Sequence, residues 1–258
     1  MRDILERLAQ GKISVDDAEK ALKISVIESV GNVAKLDVGR EIRRNVPEII
    51  FAEGKSNRDL FEICMRMLEK NGRVLITRLS EQQLDEAEKK FREYTLQKFP
   101  HAMALVVSRK DFRKLQTGGR VGILTAGTVD LAVAEEAAMI ARELGCETFL
   151  EADAGVAGIH RLVEPLKGML EKDVDCLIVV AGREGALPTV VAGLVDIPLI
   201  AVPASSGYGY GGRGEAALMA MLQACSLGLA VVNIDSGVAA GVVAAQIANR
   251  VAKARTAR

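Results

Sequence analysis

Four side chains carry the reactive chemistry of this sequence. Glu184 lies in AGREGALP, residues 181–188, between Gly182 and Gly185 and directly after the apolar run VDCLIVV. A carboxylate at the end of a buried strand can act as acid or base, or it is an exposed loop residue. His160 sits in AGIHR, early in an expected helix. Imidazole next to a ligand loop can move protons, and a lone histidine is as readily structural. The other histidine, His101, stands beside Pro100 and reads as structural. Cys225 closes an expected helix in MLQACSLG, just before LAVVNID. A thiol becomes a nucleophile near a positive charge or a helix N-terminus. Its Ala, Leu and Met neighbours supply neither, so the local residues read it as a small core side chain. Asp130 stands in GGRVGILTAGTVDLAVAEE, residues 118–136, where a small-residue turn opens an alanine-rich segment. It is a favoured N-cap type and is equally placed to touch a ligand. A short loop at a helix N-terminus suits a carboxylate or phosphate.

All four lie at boundaries between alternating strand and helix patterns. Strands are expected at 120–126, 147–152, 175–181, 197–202 and 229–234, and helices at 130–144, 158–172, 185–194, 214–226 and 237–254. Five strands alternating with five helices predict a mostly parallel sheet in a three-layer αβα sandwich. Ligands of such sheets sit outside the carboxyl ends of the strands. The loops to inspect are therefore 125–130, 153–160, 181–188, 203–214 and 234–238. The fourth contains GYGGRG, a GxGxxG match at Gly209, Gly211 and Gly214, with Asp235 downstream. Its first glycine comes several residues after the strand, so it reads as a flap over a ligand, not a dinucleotide turn.

A smaller α/β domain, residues 1–110, precedes this domain of residues 118–258. Residues 1 to about 30 read as two helices, the second opened by Ser14 and Asp17 in a capping-box pattern. Strands follow at Val33–Asp37 and Glu48–Ala52, a helix at Ser56–Lys70, a strand at Arg73–Arg78, a helix from Ser80 to about Phe99 and a strand at Ala102–Ser108. This is a βαβαβ unit. Arg40, Arg43 and Arg44, with Lys35 and Lys55 nearby, form either a phosphate-binding cluster or a solvated basic turn.

Lys plus Arg and Asp plus Glu each number 34 in 258 residues. That balance argues against a nucleic-acid partner, which would demand a basic surplus. No apolar run is long enough for a membrane span. The opening MRDILERLAQGK is charged and has no signal-peptide core, so a cytoplasmic location is expected. Cys64, Cys146, Cys176 and Cys225 form no CxxC pair, which speaks against a Cys/His zinc site and for free thiols.

Three segments, TAGTVDLAVAEEA, AGIHR and AGREGALPTVVAGLVDIPLIAVP, together resemble the purine-pathway AIR carboxylases. Those proteins pair a GSxSD-PVAEEA loop with an xAHR histidine and a GRAGALPG loop. AKLDVGREIRRNVPEIIFAEGKS and MLQACSLGLAVVNIDSG narrow the likeness to the LarB family, over about residues 35 to 250. The resemblance implies a flavodoxin-like, AIR carboxylase-like catalytic domain. It implies carboxylation of nicotinic acid adenine dinucleotide at ring carbon 5, then hydrolysis to AMP and pyridinium-3,5-biscarboxylic acid mononucleotide. This is the first step of nickel-pincer nucleotide cofactor synthesis. The runner-up is a phosphoribosylaminoimidazole (AIR) carboxylase of purine synthesis, working without a thiol.

By the same resemblance Cys225 is the nucleophile, and Glu184 or His160 takes the ring proton. Substrate contacts fall to Thr128, Asp130, Arg161, Gly182, Gly185, Ser205, Gly207 and Tyr208, with phosphates met by Arg40 and Arg44. Carbon dioxide or bicarbonate is the co-substrate, no organic cofactor is implied, and Mg2+ would be held by Asp130, Asp153 and Asp235. A homo-oligomer is implied, a dimer building to an octamer. The sequence departs from the pattern at Val129 and Ala132, in the flap ASSGYGYGG, at Ser226–Leu227 and in NIDSG. These departures bear on substrate contacts more than on the reaction class.

Overall fold

A computed structural model describes residues 2–24, 28–30, 34–36 and 44–256. It divides into two compact units: Met1–Lys98 with Met103–Phe112, and Phe99–Ala102 with Arg113–Arg258.

The first unit begins with helices α1 (Arg2–Ala9) and α2 (Val15–Ile24) and an antiparallel pair, β1 (Glu28–Val30) and β2 (Ala34–Leu36). The Ser14 hydroxyl accepts the Asp17 N–H at 3.1 Å, as its capping pattern requires. The second helix ends at Ile24, and residues 28–30 are strand, not the end of a helix. A four-stranded sheet follows: β3 (Ile49–Phe51), β4 (Arg73–Thr77), β5 (Thr95–Phe99) and β6 (Ala104–Ser108), in the order β3-β4-β6-β5. Helix α3 (Asn57–Asn71) starts at Ser56, whose side chain accepts the Asp59 N–H. Helix α4 (Glu81–Lys90) opens with a reciprocal capping box between Ser80 and Gln83.

The sequence expectation fails after α4. The helix expected to reach Phe99 stops at Lys90, and Thr95–Phe99 becomes β5. Phe91 is fully buried at the break, edge-to-face with Phe61 and with Tyr94. The Tyr94 N–H closes a turn on the Phe91 carbonyl. The aromatic anchor fixes the bend, and tertiary packing overrides the helical pattern. Because β4 pairs antiparallel with β6, the unit is a mixed sheet and not the βαβαβ unit expected.

The second unit is a five-stranded parallel sheet in the order β11-β10-β9-β7-β8, built from β7 (Arg120–Thr125), β8 (Glu147–Glu151), β9 (Cys176–Ala181), β10 (Leu199–Pro203) and β11 (Leu229–Val231). Helices α5 (Leu131–Glu143) and α9 (Gly237–Thr256) pack on one face, and α6 (Val163–Glu171), α7 (Ala186–Ala192) and α8 (Glu215–Leu222) on the other. This is the expected three-layer sandwich. The central strand CLIVVA is buried at every position, as a strand covered on both faces must be. Gly122 makes room for Met169 and Leu177 on the α6 side. On the other face α9 presses its small residues against α5, with a Cβ at Gly241 falling 2.6 Å from the Ala137 carbonyl oxygen. The buried Glu136 carboxylate accepts the Val238 N–H, meeting the positive end of α9.

Three boundaries differ from the sequence reading. Residues 156–162 form a 3-10 segment before α6, broken at Gly158. Helix α8 ends at Leu222, so Cys225 follows it in a loop. Strand β11 ends at Val231, and the Asn233 side chain then accepts the Ile234 N–H.

Candidate active site

The carboxyl ends of β7, β8, β9 and β10 frame a cavity of about 310 Å³. Backbone bonds carry the sheet ladder past the strand ends and fix the loops that line it. The Ala126 N–H donates to Val180, Ala154 to Thr125, Ala204 to Ala181 and Asp235 to Pro203. Small residues let the loops touch. A Cβ at Gly155 would stand 2.6 Å from the Ala126 carbonyl oxygen, and one at Gly182 2.6 Å from the Ser206 hydroxyl. Four non-glycine residues take left-handed backbone in the loops after β8 to β11: Asp153, Arg183, Arg213 and Asp235, with φ from 52° to 59°. Such conformations cost roughly 1–3 kcal/mol each and persist where the surroundings impose them.

Asp130 is the buried acid of the site. It holds the N-cap position of α5, yet its side chain does not cap the helix. The carboxylate turns back, with Oδ2 accepting the Gly127 N–H at 2.9 Å and Oδ1 the Ser206 hydroxyl at 2.7 Å. Burial pushes its pKa above the ordinary carboxyl value. The bonds from Ser206 and Gly127 pull it back, and the charge of Asp235 pushes it further up. Since Asp130 takes the Gly127 N–H, the first loop offers a ligand less bare backbone than its sequence suggests.

Glu184 and Arg183 line the opposite wall with Gly182. The Gly185 N–H closes the turn on the Gly182 carbonyl, and Gly185 itself, at φ 65°, abuts the Ala217 backbone under the site. Tyr208 reaches the cavity, and the Arg183 guanidinium lies 4.2 Å from its ring centroid. Arg161 lines the cavity while paired at 2.7 Å with Asp153. An exposed Glu184 carboxylate at the cavity can take a proton from a ligand, and the apolar Val129, Val156 and Leu187 can seat its ring.

The structure thus gathers Asp130, Arg161, Gly182, Glu184 and Tyr208 around one cavity. Thr128, Gly185, Ser205 and Gly207 are immediate chain neighbours of its lining. His160 is exposed and outside the lining, next to Arg161. Arg44 is exposed in the first unit, and Arg40 lies outside the described residues.

Cys225 is exposed and stands at the other end of the sheet. Gly228, three residues on, accepts the N–H of Leu199, the first residue of β10, and Leu229 is in register with Leu199. The five residues of β10, about 16 Å at ~3.3 Å per residue, separate that edge from the cavity. Within one chain, Cys225 does not join Glu184. Burial pushes the other thiols up, to about 12 for Cys64 and Cys176 and about 11 for Cys146, which suits structural cysteines.

The three aspartates expected to share Mg2+ do not converge. Asp130 holds Gly127 and Ser206, Asp153 holds Arg161, and Asp235 accepts the Ser205 N–H at 2.8 Å. Among the described residues no three His, Cys, Asp or Glu side chains come together as a metal-holding group. The residues as they stand do not fit a shared ion. Sequence reasoning missed Ser206 and Arg183. Ser206 differs from the chosen Ser205 by one position, which only the loop's path decides. Arg183 stood beside Glu184 in the same loop and was readable there as a cation.

Comparison with known proteins follows the two units. A model described as LarB/PurE-like N-terminal domain matches residues 27–109, and one described as AIR carboxylase matches residues 120–257. An uncharacterized protein of Methanocaldococcus jannaschii is 43% identical over 251 residues, 96% of each chain. An N5-carboxyaminoimidazole ribonucleotide mutase of the same organism is 33% identical over 127 residues, 48% of this chain and 76% of that protein. Another, from Thermotoga maritima, is 30% identical over 129 residues, 50% of this chain and 74% of that protein. No helix among the described residues is long and apolar enough to cross a membrane.

Proposed function

The chain belongs to the LarB family, an AIR carboxylase domain preceded by a LarB/PurE-like N-terminal domain, and from that premise we propose that it carboxylates nicotinic acid adenine dinucleotide and hydrolyses its phosphoanhydride. The observation that carries this reading is the union of the two domains in one chain with a carboxylate-bearing cavity at the strand ends of the second. AIR carboxylase-type domains work on carbon dioxide and an electron-rich ring carbon. A pyridinium ring is electron-poor, so it must first receive an electron pair.

The Cys225 thiolate supplies that pair by adding to a ring carbon, giving a neutral dihydropyridine whose carbon 5 is nucleophilic. Carbon 5 forms a bond to carbon dioxide, and the new carboxylate takes the displaced pair. Glu184 removes the proton from carbon 5. The C–H electrons restore the ring as the C–S bond breaks and the thiolate leaves. The ring has exchanged a proton for a carboxylate with no net redox change. Water then cleaves the phosphoanhydride, giving AMP and the dicarboxylated mononucleotide. His160, exposed beside Arg161, is the less well placed base.

This route requires Cys225 from a second copy of the chain, because its own cavity is a strand length away. The exposed Met219, Leu222 and Leu227 around Cys225 are the kind of apolar surface that a second copy would cover. The same separation favours one alternative: thiol-free chemistry on an aminoimidazole ribonucleotide, the substrate class named for the two mutases. One experiment decides. The protein is incubated with nicotinic acid adenine dinucleotide and bicarbonate, with and without magnesium, and the products are read by mass spectrometry. AMP and a ring-carboxylated mononucleotide are expected. Turnover of a carboxyaminoimidazole ribonucleotide with neither product would replace this reading by the alternative.

A further inference from the structure

Arg183 lines the cavity and has no part in the proposed chemistry. Its backbone is held at φ 52°, and Gly207 backs directly onto it, with a Cβ there falling 2.6 Å from the Arg183 nitrogen. The loop is therefore pressed against the Gly207 backbone, and the guanidinium lies 4.2 Å from the Tyr208 ring centroid. Tyr208 is itself 78% exposed, so its ring is held by little besides the arginine. The cavity's other guanidinium, on Arg161, is occupied by Asp153. Among the described residues Arg183 has no carboxylate partner.

Stacking on an aromatic ring uses the face of a guanidinium and leaves its N–H edge free. That edge matches the paired oxygens of a carboxylate or phosphate. A cavity of about 310 Å³ is at the small end of ligand sites, which run from roughly 300 to 1,000 Å³. It suits one ring-bearing half of a dinucleotide.

We propose that Arg183, stacked on Tyr208, binds the anionic group of the ligand in this cavity and makes the site prefer an oxyanion-bearing ring compound to its neutral analogue. The inference rests on reading this cavity as the substrate site and names how that site selects. Nicotinic acid carries a carboxylate where nicotinamide carries an uncharged amide, so the two report on the contact directly.

The test is binding, independent of turnover. Wild type, Arg183→Met, Arg183→Lys, Tyr208→Phe and Tyr208→Ala are titrated with nicotinic acid, nicotinamide and their mononucleotides by ligand-observed NMR or calorimetry. Thermal unfolding confirms that each variant is folded. Arg183→Met weakens the oxyanion ligands about tenfold to a hundredfold and leaves nicotinamide unchanged. Arg183→Lys falls between, Tyr208→Phe matches wild type, and Tyr208→Ala loses part of the preference. If the carboxylate is the anion held, the gap between nicotinic acid and nicotinamide collapses in Arg183→Met. If the phosphate is, the gap between each base and its mononucleotide collapses. Wild-type binding of none of the four, an Arg183→Met variant that binds all as wild type does, or equal loss of nicotinamide and nicotinic acid would overturn the assignment. The expected pattern in a protein that never turns over nicotinic acid adenine dinucleotide keeps the assignment and removes the proposed reaction.

Discussion

Asp130 and Ser206 meet at 2.7 Å across the mouth of the sheet, joining the loop after β7 to the loop after β10. Between them in space lies β9, whose own loop carries Glu184. The bond closes the cavity's base from both sides of the central strand. It also ties a buried carboxylate to the segment that carries Tyr208.

That bond has a pH signature. Asp130 has a raised folded pKa because burial disfavours its charge. A raised acid binds more protons folded than unfolded, so its contribution to stability is fully present below the ordinary carboxyl pKa. It is lost as pH rises through the raised folded value. Asp130→Asn should flatten this decline, and Ser206→Ala should extend it to higher pH, because the hydroxyl is one of the groups pulling the pKa down. Ser206→Ala should also cost about 1–3 kcal/mol by leaving a buried carboxylate oxygen without its donor. Urea unfolding across the mildly acidic range reads both effects. A wild-type profile parallel to that of Asp130→Asn would refute the account.

The separation of thiol and base makes a complementation experiment decisive. Glu184→Gln and Cys225→Ala should each lower carboxylation of nicotinic acid adenine dinucleotide by about 10² to 10⁴, the range for losing an acid–base group or its equivalent. Each variant keeps the group that the other lacks. Mixed after dissociation and reassembly, the two should recover a readily measured part of wild-type activity, because some sites then combine an intact Glu184 with an intact Cys225. No recovery, with confirmed mixed assemblies, would rule out a thiol delivered by a second copy.

Helix α9 offers a prediction on stability alone. Gly241→Ala gains helix propensity of about 0.8–1.0 kcal/mol. The added Cβ would stand 2.6 Å from the Ala137 carbonyl and 2.8 Å from the Ile140 Cβ. Backbone and branched-carbon neighbours cannot swing aside, so overpacking of about 1–3 kcal/mol should prevail. The denaturant midpoint should fall while the activity of the folded fraction is unchanged. A variant more stable than wild type would show that α5 and α9 can separate at little cost.

The sandwich was legible because fully buried strands such as CLIVVA and small-residue helices leave a strong pattern, and the loops at the strand ends then follow from topology. The break at Phe91 was not, because it depends on Phe61, an aromatic partner distant in sequence. Within the site, Glu184, Asp130 and Tyr208 could be placed from their loops. The partner of Asp130 could not, since Ser205 and Ser206 are chemically alike and the loop's path alone selects between them. The distance of Cys225 from this cavity within one chain was not legible, for a geometric reason. Shortening α8 hardly matters, but the direction of the helix sends its end to the amino side of the sheet, which a motif cannot express.

The edges of the five-stranded sheet limit how the molecule can assemble. One is β8, whose sequence ETFLE exposes Glu147 and Glu151 at its two ends. The other is β11, only three residues long. A short strand and a strand guarded by charge both make poor templates for a neighbour's backbone. A second copy docking on this chain would therefore meet side chains of helices and loops and would not continue the sheet. Both edges thus resist extension of the sheet into a fibre.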